Sequence, residues 1–183
     1  MTAHRHLHRL ARVWDPHAIY FLTICTEQRR RRLAEADVAR VLREEWARAL
    51  ASHGWAVGRY VILPDHVHFF CMERPGGADC ALSRFVQRWK EWTAKRIQRE
   101  VLAPRDATGP HAGDGPARHS PRTAPFRLWQ RQFFDHVLRS GESYSEKWTY
   151  VRENPVRAGL VTRWSDWPFQ GCVDFDEPRP MTP

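Results

Sequence analysis

Trp55-Ala-Val-Gly-Arg-Tyr-Val-Ile-Leu63, then Pro64-Asp65, then His66-Val-His-Phe-Phe-Cys-Met72 is the stretch that decides the fold. Two short apolar runs rich in β-branched and aromatic residues, joined by a Pro-Asp pair suited to a turn, read as a hairpin of strands. Residues i and i+2 of a strand project to one face, so His66 and His68 point one way and Val67 the other, into a core. Two imidazoles so placed can meet one divalent ion, which then needs a third ligand from elsewhere in the chain. The same pair also fits two polar residues on an exposed strand face.

Upstream, Ala18-Ile-Tyr-Phe-Leu-Thr-Ile-Cys25 reads as a further strand, ending before the charged loop Glu27-Gln-Arg-Arg-Arg-Arg32. Val38, Val41, Leu42, Trp46, Ala49 and Leu50 recur at helical spacing until Gly54 stops them. Downstream, Leu82, Phe85, Val86, Trp89 and Ile97 mark the apolar side of a second helix, with Arg84, Arg88, Lys95 and Arg99 on the opposite side. Pro104–Pro125 has no apolar period and reads as a flexible loop. Leu128–Leu138 reads as a strand and about Ser143–Glu153 as a helix, before the aromatic tail Trp164–Phe169. The order β-α-β-β-α-β, then helix, predicts an α+β fold with helices on one face of the sheet. One domain over residues 1–183, with the flexible loop at 104–125, fits the length.

The charge balance is 29 Lys+Arg against 21 Asp+Glu, a net +8. Such a surface attracts phosphate polyanions, so nucleic acid is the first partner to consider. Arg29, Arg30 and Arg31, with the stripe Arg84–Arg88–Lys95–Arg99, are the candidate phosphate contacts, although a solvated helix face accounts for such a stripe as well. Nine Trp and nine Phe offer stacking platforms for unpaired bases, though most must fill the core. No run of about 18 apolar residues exists, which argues against a membrane partner. The first ten residues lack the apolar core of a secretory signal, and the four cysteines lack CxxC spacing, so a cytoplasmic location is expected.

Tyr150 and Asn154 stand at i and i+4, one turn apart on one helix face. A phenol there can attack phosphorus, and an amide oxygen there can complete a metal site. Pro155 disfavours helical geometry at Asn154, so Asn154 is also read as the end of the helix or the cap of a new turn.

Tyr60-Val-Ile-Leu-Pro-Asp-His66-Val-His68 is similar to the HUH strand of single-tyrosine transposases. Trp129-Gln-Arg-Gln-Phe-Phe-Asp-His136, then Tyr150-Val-Arg-Glu-Asn-Pro-Val-Arg-Ala-Gly-Leu-Val161, resembles the signature of their REP-associated branch, and the Trp164–Phe169 tail fits it too. The likeness runs in order over about Ala18–Phe169. It implies a ferredoxin-like antiparallel sheet, His66, His68 and Asn154 as ligands of Mg²⁺ or Mn²⁺, and Tyr150 as nucleophile. The partner it implies is single-stranded or hairpin DNA, cut by a monomer or homodimer through a 5′-phosphotyrosine. A hydrolytic nuclease on the same metal site and a DNA-binding protein without cleavage are the alternatives. The Pro104–Pro125 segment is longer than the loop usual there, and His136 is read as making a structural hydrogen bond.

Overall fold

A computed structural model of the chain describes residues 18–74, 80–103, 126–138 and 144–176. The 104–125 segment expected to be a loop lies outside these residues.

Strand β1 (Ile19–Cys25) leads into the arginine-rich loop and helix α1 (Ala36–His53). Gly54 ends α1 with φ 73, a left-handed conformation that suits glycine, and its N–H donates to the Leu50 carbonyl. The hairpin follows as β2 (Trp55–Ile62) and β3 (His66–Glu73), then helix α2 (Leu82–Ile97), which runs on into a π turn, Gln98–Leu102. Strand β4 (Phe134–Leu138), helices α3 (Tyr144–Arg152) and α4 (Asn154–Arg157), and strand β5 (Gln170–Cys172) complete the order. The sheet is β4-β1-β3-β2-β5 with antiparallel pairings throughout, an open α+β sheet of the expected class.

Alternation along the strands divides the molecule into two layers. Leu22 and Ile24, with Val67, Phe69 and Cys71, face α1 and α2, where Trp46, Phe85 and Trp89 close a buried cluster. Trp46 and Trp89 stack at 5.2 Å between ring centres. Each large apolar side chain buried there contributes about 1.5–3 kcal/mol. Arg96 ties the two helices at the surface, 2.5 Å from Glu44, 2.8 Å from Glu45 and 2.9 Å from Glu100. The two long helices thus share one face, as the sequence predicts. Against the expectation of helices on one face alone, the short α3 covers the other, where Tyr144, Trp148 and Val151 pack with Phe21, Val61 and Phe70.

Two elements differ from the sequence reading. Of the strand expected over 128–138 only Phe134–Leu138 forms. Leu128 and Trp129 are buried, the indole N–H of Trp129 donating to Thr93 Oγ1 at 2.9 Å. The Lys90 ammonium takes up the carbonyls of Gln130, Arg131 and Gln132, so those groups do not enter a ladder. The tail also adds the fifth strand, which the sequence reading lacks. The Trp167 indole donates to the Ile62 carbonyl, the Phe169 carbonyl accepts from the Ile62 N–H, and Gln170–Cys172 pairs with β2.

The β2–β3 register shifts between Val57 and Tyr60. The freed N–H of Arg59 donates to the Tyr144 hydroxyl at 3.2 Å, which ties α3 to the irregularity. A Cβ at Gly58 would stand 2.7 Å from the Phe175 ring and 2.9 Å from that hydroxyl. Gly58→Ala is therefore expected to lower stability by about 1–3 kcal/mol, read as a denaturant midpoint. An unchanged midpoint would show that the bulge has room to spare.

Candidate active site

The face of the sheet under α3 carries the candidate chemistry. His66 and His68 lie there with ring centres 4.7 Å apart. Each uses its Nδ1 for a hydrogen bond, at 2.6 Å to Asp65 Oδ1 for His66 and 2.8 Å to Thr23 Oγ1 for His68. A carboxylate only accepts, so Nδ1 of neutral His66 carries the proton and its Nε2 keeps the lone pair. For His68 the hydroxyl can give or take, and an ion at Nε2 would set it to accept.

Burial holds both imidazoles neutral. It lowers His68 to about 3, helped by the nearby charges of Arg29, Lys147 and Arg157 and by the repulsion protonated His66 would exert. It also lowers His66, with Asp65 pulling the other way. Neutral imidazole is the form that binds metal. Among the described residues no group of three His, Cys, Asp or Glu surrounds an ion position.

The arginine-rich loop is docked against the turn that precedes His66. The N–H and hydroxyl of Thr26 both donate to the Asp65 carbonyl, and the N–H groups of Arg32 and Leu33 donate to the Pro64 carbonyl. Gln28 and Arg29 both have φ 54, the left-handed region that costs non-glycine residues energy. Arg29 is not a free charge: Nε lies 2.9 Å from Asp65 Oδ2 and Nη1 donates to Cys25 Sγ. Asp65 thus joins Arg29 to His66. Arg30 and Arg31 are exposed beside this turn, Arg30 donating to Gln28.

Tyr150 is 61% exposed. Tyr60 and Tyr144 are buried, and burial pushes the phenols of both up, Tyr144 well beyond the ordinary range. Asn154 opens α4 after a break at Glu153, and no side-chain cap bond forms at that helix start. Its Oδ1 instead accepts from Arg157 Nη2 at 2.6 Å. The same Nη2 donates to the Tyr150 carbonyl at 2.6 Å, and the guanidinium lies 4.2 Å from the Tyr150 ring centre. Lys147, one turn before Tyr150, sits 4.9 Å from the Phe21 ring, which stacks on His68 at 5.4 Å.

Of the residues singled out in the sequence, His66 and His68 come together on one strand face, and Tyr150 and Asn154 come together through Arg157. The α2 stripe does not join them. Arg84, Arg88, Lys95 and Arg99 are exposed on the helix that covers the opposite face of the sheet. Lys95 pairs with Glu91 and Arg99 with Glu100, while Trp92, 51% exposed, lies under Lys95. Sequence reasoning missed Thr23, Asp65, Lys147 and Arg157. Asp65 had a signal, being next to His66, and Arg157 lies inside the Tyr150 motif. Thr23 is revealed only by its register with His68. Phe134, 44% exposed, stands in the same cross-strand row as Thr23 and His68.

The depressed titration of His68 has a measurable consequence. Its folded value is about 3 against an ordinary 6.5, so between these the unfolded chain binds more protons than the folded one. Stability should be full above about pH 6.5 and fall as the pH drops toward about 3. His68→Gln should flatten that slope in denaturant titrations with EDTA present. A slope unaltered by the substitution would mean His68 is not held neutral by burial.

The comparisons with known proteins agree with this architecture. A REP-associated tyrosine transposase of Escherichia coli K12 is 25% identical over 150 residues, covering 82% of this chain and 73% of its own length. A relative from Haemophilus influenzae is 24% identical over 151 residues, covering 82% and 77%. A solved REP-associated tyrosine transposase bound to a REP hairpin superposes with a TM-score of 0.64 at 21% identity, covering 90% of this chain and 82% of that one, and so shares the fold. Described helices include none long and apolar enough to cross a membrane. The family model for IS200-like transposases matches residues 16–112, and with more than half its length so matched the chain belongs to the IS200-like transposase family.

Proposed function

We propose that this transposase cuts single-stranded DNA beside hairpin-forming repeats in the cytoplasm, as a monomer or homodimer, and holds the cut strand on Tyr150. The observation that carries the reading is the contrast among tyrosines. Tyr150 is open to solvent and tied through Arg157 to Asn154, while Tyr144, six residues earlier, is buried and hydrogen-bonded. The solved REP-associated tyrosine transposase of the same fold is bound to a REP hairpin, and this suggests the target class.

The donor set suits a hard to borderline divalent ion, with two neutral imidazoles, His66 and His68, and the Asn154 amide oxygen. Bound Mg²⁺ or Mn²⁺ would polarise the scissile phosphate and offset the charge that develops on it. The protein's own residues supply the rest. Thr23 and Asp65 fix the imidazole orientations. The Tyr150 oxygen forms a bond to phosphorus as the bond to O3′ breaks. The phenol proton passes to water and the departing 3′ oxygen takes one up. The products are a 5′-phosphotyrosine and a free 3′-OH. A second 3′-OH can then displace the phenol and rejoin the strand, since the phosphodiester is exchanged and not hydrolysed.

Arg29, Arg30 and Arg31 adjoin His66 and would hold the strand at the cut. Arg84, Arg88, Lys95 and Arg99 lie behind the sheet and would grip only DNA that wraps round the domain. Neutralising Arg30 and Arg31 should lower the salt slope of single-strand binding by about 0.7 for each phosphate left unneutralised. The Arg88 and Lys95 pair should change it less. The reverse order would place the main DNA track on α2.

Labelled single-stranded DNA with Mn²⁺, run on a denaturing gel, tests the chemistry. Tyr150→Phe should lose both cleavage and the covalent band, and His66→Ala or His68→Ala should do the same. Tyr144→Phe should keep the band while costing about 1 kcal/mol, because the Arg59 N–H loses its acceptor. Cleavage without a band in Tyr150→Phe would favour a water nucleophile. DNA binding with no cleavage by the wild type would favour a binding protein.

A further inference from the structure

The helix that bears Tyr150 does not continue to Asn154. α3 ends at Arg152 and α4 begins at Asn154, and Pro155 has no N–H with which to carry a helical ladder through the junction. The spacing of nucleophile and amide is therefore not fixed by one uninterrupted helix. Arg157 spans the break. Its Nη2 donates at 2.6 Å to the Tyr150 carbonyl and at 2.6 Å to Asn154 Oδ1, and its guanidinium plane covers the Tyr150 ring at 4.2 Å. Among the described residues it has no carboxylate partner, and the side chain is exposed.

We propose that Arg157 is a positioning residue that locks the nucleophile and the metal-binding amide into one unit. The inference rests on the reading of Tyr150 as nucleophile and Asn154 as ligand. An exposed tyrosine ring ordinarily samples several rotamers. A guanidinium laid on its face narrows these and so restricts where the hydroxyl can stand. Arginine has only donors, so the Asn154 atom it touches is oxygen, and a carbonyl oxygen has a second lone pair left for an ion. One planar group thus orders two side chains whose backbone segments are joined by a helix break. Lysine offers the charge without a planar group to lie on the ring, so the two residues are not equivalent here.

Three readouts separate this role from a plain phosphate contact. In single-turnover reactions with labelled single-stranded DNA and Mn²⁺, Arg157→Ala should form the adduct about ten- to a hundredfold more slowly. Its DNA affinity in EDTA should fall by much less. Arg157→Lys should bind DNA like the wild type yet remain slow, and added guanidinium should restore part of the rate to Arg157→Ala but not to Arg157→Lys. In protein labelled with 3-fluorotyrosine, free of metal and DNA, the ¹⁹F signal missing from Tyr150→Phe should shift in both Arg157 variants, whether or not they cut. Full speed in Arg157→Lys would overturn the proposal, since charge alone would then suffice. A Tyr150 signal unmoved in both variants would overturn it as well. If Tyr150→Phe still forms the adduct, it is the nucleophile assignment that falls. If Tyr150→Phe is inactive while both Arg157 variants cut at wild-type rates, the positioning role falls alone.

Discussion

Strand β3 is sandwiched between β1 and β2, and its alternation has to satisfy two opposite demands. Val67, Phe69 and Cys71 must bury against α1 and α2, while His66 and His68 must take the opposite face, where the proposed chemistry needs them. A slip of one residue would exchange the two sets, burying imidazoles in the aromatic core and exposing the apolar side chains. The register with β1 prevents this. Thr23 stands opposite His68 and Cys25 opposite His66, so the strand that aligns the core also delivers the hydroxyl that holds His68. The rest of the molecule follows from that alignment.

Much of this was legible in the sequence because it depends on local pattern. The hairpin declared itself by two apolar runs around Pro64-Asp65, and α1 and α2 by their periodicity and by Gly54. The strand over 128–138 misled because its composition suits a strand. What decides the matter is Lys90, forty residues away in sequence, which caps the three carbonyls that a ladder would have used. β5 was invisible for a similar reason. Gln170-Gly-Cys172 has no strand propensity worth the name, and it pairs because Trp167 and Phe169 dock the chain beside β2.

The candidate site divides in the same way. His66, His68, Tyr150 and Asn154 could be named from spacing and from the motif around Tyr150. Thr23 could not, since it comes from a strand that only the fold brings beside His68. The basic stripe on α2 shows the converse failure. Its residues do share one helix face, but helical periodicity says nothing about which side of the sheet the helix will occupy.

The sheet also works as a partition between two kinds of selection. Substitutions among Trp46, Phe85 and Trp89 alter how firmly the chain folds, and the strands lie between those residues and the candidate site. Changes at His66, His68 or Tyr150 would act on the proposed chemistry without touching that cluster. A protein so divided can drift in thermal stability as its host's conditions change while keeping its reaction. It can equally acquire a new target, by variation around the arginine loop and α4, without first rebuilding its interior.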